Sequence, residues 1–224
     1  MNRIFLTAFL AIPLLAADTQ EVNKRIQASA DVLNEIMSAP DKGIPAKLLS
    51  SAHCVAIVPG MKKAGFIVGG KYGKGVLTCR RNGSWSAPAT IRIEGGSFGL
   101  QIGGGETDIV MLIMNDKGEQ KLLSDKFTVG ADASVMAGPV GRAADAQTDA
   151  AMHAEILAYS RARGAFAGIS LDGATFRPDK DDNKVLYGSD ATPKEILSGS
   201  IKAPASAQPL YDALNKYSAS STGD

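Results

Sequence analysis

The chain has 224 residues, 45% hydrophobic and 21% charged, with 24 basic against 23 acidic side chains. That length suits one globular domain with a sizeable core, and the balanced charge excludes a dedicated nucleic-acid binder. His53 and His153 stand far apart without cysteine or histidine partners at ligand spacing, so the sequence points to no metal and no cofactor.

Residues 1–17 read as an export leader. Met1-Asn2-Arg3 is a short basic head, Ile4 to Leu15 an apolar stretch too short to span a bilayer, and Ala16-Ala17 a cleavable pair before Asp18. The expectation is an exported protein, periplasmic or secreted, with residues 18–224 as a single domain. Peripheral membrane contact fits this reading; a transmembrane helix does not.

Val22, Ile26, Ala30, Leu33, Ile36 and Met37 recur at helical spacing and Pro40 ends the run, predicting an amphipathic helix over 20–39. Its polar face mixes Glu21, Asp31 and Glu35 with Lys24 and Arg25, so it lacks the basic face of a membrane-surface helix. Its apolar face either packs on the fold or meets an envelope protein partner. Ile44 to Leu49 follows as a short helix with Pro45 in its first turn.

The stretch Ile57 to Gly105 organises the rest. Thirteen of the 24 glycines lie between Gly60 and Gly105, separating β-branched runs at Phe66-Ile67-Val68, Val76-Leu77-Thr78 and Ile91-Arg92-Ile93. Glycines at such intervals signal bends, bulges and close backbone approach, and Asn82-Gly83 is a hairpin turn. Cys54 and Cys79 sit in strand candidates; a disulfide and two buried thiols both remain open. Asp108 to Met114 reads as a central strand, Glu119 to Ser124 as a helical turn, and Phe127 to Val140 as a further run of small and β-branched residues. Thr148 to Gly164 stays open between helix and strand, with strand favoured in its second half. Thr192-Pro193-Lys194-Glu195 is a capping box, Pro209 to Tyr217 a last helix, and the tail after it frays. The fold class is therefore α+β: a curled, mostly antiparallel glycine-rich sheet with N- and C-terminal helices packed on it.

Charge is unevenly spread. Nine basic residues fall between Lys42 and Arg92 with no Asp or Glu between Asp41 and Glu94, leaving 15 basic and 23 acidic residues elsewhere. A cationic block of this kind points to an anionic partner. Strand alternation separates Arg80 from Arg81, whereas turn residues escape it. Lys62 and Lys63 after the Pro59-Gly60 turn, and Lys71 and Lys74 in the next glycine-rich turn, are thus the candidate anion-binding residues together with Arg80. An anionic membrane lipid surface is the expected partner.

Three motifs suggest chemistry and fail on context. Gly95-Gly96-Ser97-Phe98-Gly99 matches a hydrolase elbow, with Asp108 or Asp132 and His153 in order, but strand-like residues follow Ser97 where a helix is required. Gly65 to Lys71 matches a phosphate loop, but Tyr72 replaces the magnesium-binding hydroxyl. Asp179, Asp181 and Asn183 begin a calcium-loop spacing that Lys184 breaks. Catalysis by Ser97 is the alternative; the reading is non-enzymatic.

Gly65 to Gly75, then Gly83-Ser84-Trp85-Ser86-Ala87-Pro88 and Gly95 to Gly103, resemble the SYLF domain family. Gly130-Ala131-Asp132-Ala133-Ser134, Gly138 to Arg142, and Tyr159-Ser160-Arg161 with Gly164 to Gly173 continue the resemblance, which covers about residues 20–200. It implies a lipid-binding, non-catalytic protein, since eukaryotic members bind phosphoinositides and fungal ones also bind actin filaments. Bacterial exported members resemble this chain most.

Overall fold

Two very long strands make the frame: β1 (Cys54–Arg81) and β3 (Ala89–Ile113) pair antiparallel from Cys54↔Ile113 to Leu77↔Ala89. The computed structural model describes residues 12–39, 43–132, 134–140, 151–162, 165–166, 171 and 173–218, with backbone alone at 12–17, 64–68, 97–104 and 165–166. Register shifts between Val58 and Met61 and between Gly65 and Ile67 bend the ribbon. A bulge adds one residue to one strand and increases local bending and twist. The bent ribbon brings its ends together: Arg80 N donates to His53 O at 2.8 Å, and Cys54 is disulfide-bonded to Cys79. Glycine is required where the two halves of β1 meet. A β-carbon on Gly75 would stand 2.1 Å from the Ile57 carbonyl oxygen.

Asn82 (φ 51°) and Gly83 (φ 82°) form the expected left-handed turn into β2 (Ser84–Trp85). β6 (Ile156–Ala162) pairs with the far end of β3, so Asp108 to Met114 is central as anticipated; the second half of 148–164 is strand. β5 (Val135–Ala137) runs parallel to β6, β7 (Ala165–Phe166) pairs antiparallel with it, and β8 (Thr175–Pro178) joins β3 and β4 (Phe127–Thr128). This curled, mostly antiparallel half-barrel with helices at both ends is the α+β arrangement anticipated from the sequence.

Alternation along the ribbon divides the core. Concave-face residues such as Val58, Met61, Leu77, Ile93 and Ile109 pack on one another inside the curl. The opposite face, with Val55, Ile57, Val76, Val110 and Leu112, is covered by α1 (Ile12–Met37), α2 (Ala46–Ser51) and the final helix. α1 begins within the expected leader, of which residues 1–11 lie outside the described residues. Val22, Ile26, Leu33 and Ile36 are at most 1% exposed, which corrects one alternative: the apolar face of 20–39 is core and is not offered to a partner.

Asn115 caps α3 (Asp116–Leu122), accepting from Gly118 N at 2.9 Å. Asp179 caps α4 (Lys180–Tyr187), and Thr192 with Glu195 makes the anticipated box on α5 (Pro193–Ile196). α6 (Gln208–Ser218) closes the described chain, its Tyr211 hydroxyl donating to Ser86 O at 2.8 Å while Tyr187 of α4 donates to Pro88 O at 2.6 Å. The C-terminal helices thus grip the β2–β3 loop. The tail after 218 and, within the open segment 148–164, residues 148–150 and 163–164 lie outside the described residues. No helix among the described residues is long and apolar enough to cross a membrane.

Candidate functional site

Where the helical cover of the convex face ends, a row of cations begins. Lys74 on β1 stands opposite Arg92 on β3, and Arg92 opposite Arg177 on β8. Two residues along each strand, Tyr72, Glu94, Thr175 and Thr128 form the next row. Ile93, Phe176 and Phe127 between the rows are buried on the concave side, so alternation sends every charged member outward.

Like charges directly opposite destabilise a sheet pair, and three carboxylates offset this row. Lys74 Nζ lies 2.8 Å from Asp179 Oδ2 and 3.0 Å from Asp182 Oδ2, both brought by α4. Arg25 of α1 pairs with the same Asp182. Glu94 sits between the two arginines, Oε1 at 2.9 Å from Arg92 Nε and Oε2 at 3.8 Å from Arg177 Nε. Burial alone would lower the pKa of Lys74, but the two aspartates outweigh it and the net shift is upward. Burial likewise opposes the charge on Asp182, yet Arg25 and Lys74 hold its carboxyl below the usual range. Four cations face three anions in this cluster, and the surplus sits on the solvent side, where the Arg92 and Arg177 side chains are 32% and 41% exposed.

The structure places the five candidate residues differently from the sequence reading. The glycine-rich turn expected at Lys71 and Lys74 is unbroken strand, and so is the segment holding Lys62 and Lys63. Alternating geometry therefore governs all four. Lys62 is exposed opposite Glu106, and Lys63 is half-buried opposite Gly105. Lys71 is 6% exposed, and Lys74 is held by its two aspartates. Arg80 stacks over the Trp85 ring at 4.2 Å, and its burial lowers its pKa. Only Lys74 joins the row. Arg92 carried a sequence signal as part of the acid-free block; Arg177 carried none, because only the pairing of β8 brings it there.

The enzymatic motifs are strands and caps here. The backbone runs as β3 through Ser97 and as β1 through Gly65 to Lys71, with no elbow and no helix following. Asp108 accepts from Gly60 N at 2.8 Å and Asp132 from Thr128 N at 2.7 Å, so both are engaged locally. The calcium-like spacing is the start of α4. Asp179 faces Lys74, and Asn183 is buried, its Oδ1 accepting from Thr90 N at 2.7 Å.

Residues 94–217 match a family model described as Ysc84, Las17-binding protein actin regulator. The chain belongs to the Ysc84 (SYLF) family. Among SYLF relatives, it is 37% identical over 205 residues to LAS seventeen-binding protein 3 of Saccharomyces cerevisiae, covering 89% of this chain and 44% of that one. It is 34% identical over 182 residues to SH3 domain-containing YSC84-like protein 1 of Homo sapiens, covering 80% and 53% respectively. The chain spans about half the length of these SYLF relatives or less. The family is described as one of binding and regulatory proteins, and the matched segment includes Glu94, Arg177 and α4, whereas Lys74 and Arg92 precede it.

Proposed function

We propose that the protein is a non-enzymatic exported binding module that docks on anionic phospholipid headgroups at the cell envelope. The observation that carries this is the row Lys74–Arg92–Arg177, where like charges are aligned across three strands at a cost to the sheet. Sites that bind anions in this way sacrifice some stability for function. Exposed Tyr72, beside Glu94 in the next row, supplies the amphipathic ring found at membrane–water boundaries. Lys62 and Lys63 extend the positive potential along the ribbon. Export is supported by the leader-like residues 1–17 and by the Cys54–Cys79 disulfide, which suits an oxidising compartment.

The test is co-sedimentation with vesicles of phosphatidylcholine alone and with added anionic phospholipid, across a salt series. Binding only to the anionic vesicles, weakening as salt screens it, is expected. Equal binding to both, or none, refutes the proposal. A second reading follows from the name of the yeast relative, which specifies binding to a protein: the same face meets an acidic protein surface. Absence of vesicle binding would leave that reading standing.

A further inference from the structure

We infer that His53, Asp116 and Glu119 form a divalent-cation site, of a chemistry suited to zinc, at the seam where the two ends of the ribbon meet. His53 is more than 60 positions from the two carboxylates in sequence, yet one nitrogen and two carboxylate oxygens come within 4.8 Å of one another. His53 Nδ1 is 3.0 Å from Asp116 Oδ1.

The scaffold fixes the backbones that carry these donors. His53 is pinned by its backbone on both sides, its N donating to Ile113 O and its O accepting from Arg80 N, each at 2.8 Å. The Asn115 cap sets the start of α3 and also ties it to Ala154 O at 3.2 Å. Asp116 and Glu119 are three apart on that helix, so their carboxylates share one face. Glu119 is held by Arg81, whose guanidinium reaches both carboxylate oxygens. A carboxylate has about four lone-pair positions, so these hydrogen bonds leave room for a cation.

One imidazole and two carboxylates are the borderline-to-hard donors that zinc accepts, and three protein ligands with an open side match a site that retains water. With bonds of about 2.0–2.1 Å, tetrahedral donors stand about 3.3 Å apart. Closing from the present separations takes only rotamer adjustments of His53 and Asp116, whose side chains are 41% and 85% exposed. The charge balance also favours a cation, since the Arg81 guanidinium pairs with Glu119 and Asp116 faces the His53 ring. The sulfurs of Cys54 and Cys79 also lie within 4.8 Å of Glu119, but they are bonded to each other and offer no thiolate. This inference is independent of the lipid reading.

The experiment titrates zinc chloride into the full, oxidised chain, first stripped with a chelator, in a non-coordinating buffer with calorimetric detection. His53→Ala, Asp116→Asn and His153→Ala are compared, each first shown to melt like wild type without metal. Saturable 1:1 binding by wild type and by His153→Ala is expected, weakened on the order of tenfold or more in the other two variants. A zinc-dependent rise in melting temperature should follow the same pattern. Absence of saturable binding in wild type overturns the site. So does binding that persists unchanged in both His53→Ala and Asp116→Asn, or that is lost with His153.

Discussion

Replacing Arg177 with Gln separates a cation kept for binding from one kept for the fold. Arg177 faces Arg92 across the β3–β8 pair and reaches Glu94 only at 3.8 Å. Removing the like-charge pair returns roughly 0.2–1 kcal/mol. Losing a long, half-exposed ion pair costs about 0–1 kcal/mol. The two nearly cancel, so stability should change by no more than about 0.5 kcal/mol, or roughly 1–2 °C for a chain of this size. One cation at an anionic membrane surface contributes about 1 kcal/mol, so the apparent affinity for anionic vesicles should fall about fivefold. Co-sedimentation at low salt reads the second quantity and thermal melting the first. Unchanged vesicle binding would remove Arg177 from the docking face. A fall in melting temperature of about 5 °C or more would show that the arginine row is structural.

Lys74→Gln should behave oppositely. It strands the carboxylate of Asp179, whose side chain is 2% exposed, at a cost of about 3 kcal/mol, visible as a large drop in urea midpoint. Because Lys74 helps depress the pKa of Asp182, the pair stabilises the fold above the unfolded carboxyl value of about 4 and is lost as pH falls through the lower folded value. The variant should therefore begin to unfold at a higher pH than wild type in an acid titration. Cys54→Ser with Cys79→Ser opens a loop of 25 residues, and the chain-entropy estimate for that loop is about 3.5 kcal/mol. A drop in melting temperature of roughly 7–14 °C is expected, and a smaller effect would mean that ribbon closure is held by packing alone. Gly75→Ala puts a methyl against the Ile57 carbonyl and should cost about 3 kcal/mol or more, whereas Gly96→Ala, with nothing within 4 Å, should melt like wild type. Equal effects in both would refute the close approach of the two β1 halves.

Local chemistry was legible in the residues themselves. Asn82-Gly83 specifies a turn because both positions need positive φ, and Thr192 to Glu195 specifies a helix start because side chain and backbone satisfy each other within four residues. The 3.6-residue spacing of Val22, Ile26, Leu33 and Ile36 declares an apolar helix face, and the glycine-punctuated β-branched runs declare a bent sheet. These signals are short-range, so one stretch of sequence contains both partners. The spacing could not say what covers the helix face, and only the packing against β1 and α6 does. The glycines between Gly69 and Gly75 read as a turn because glycine permits one; in the fold they stay extended, and Gly73 and Gly75 serve the close passage of Ile57 and Val58. The row at Lys74, Arg92 and Arg177, the cluster of His53 with Asp116 and Glu119, and the choice between thiols and a disulfide each depend on residues 18 to more than 80 positions apart. Their meeting is decided by strand register and by the bend at the two bulges, quantities that no local run of side chains encodes.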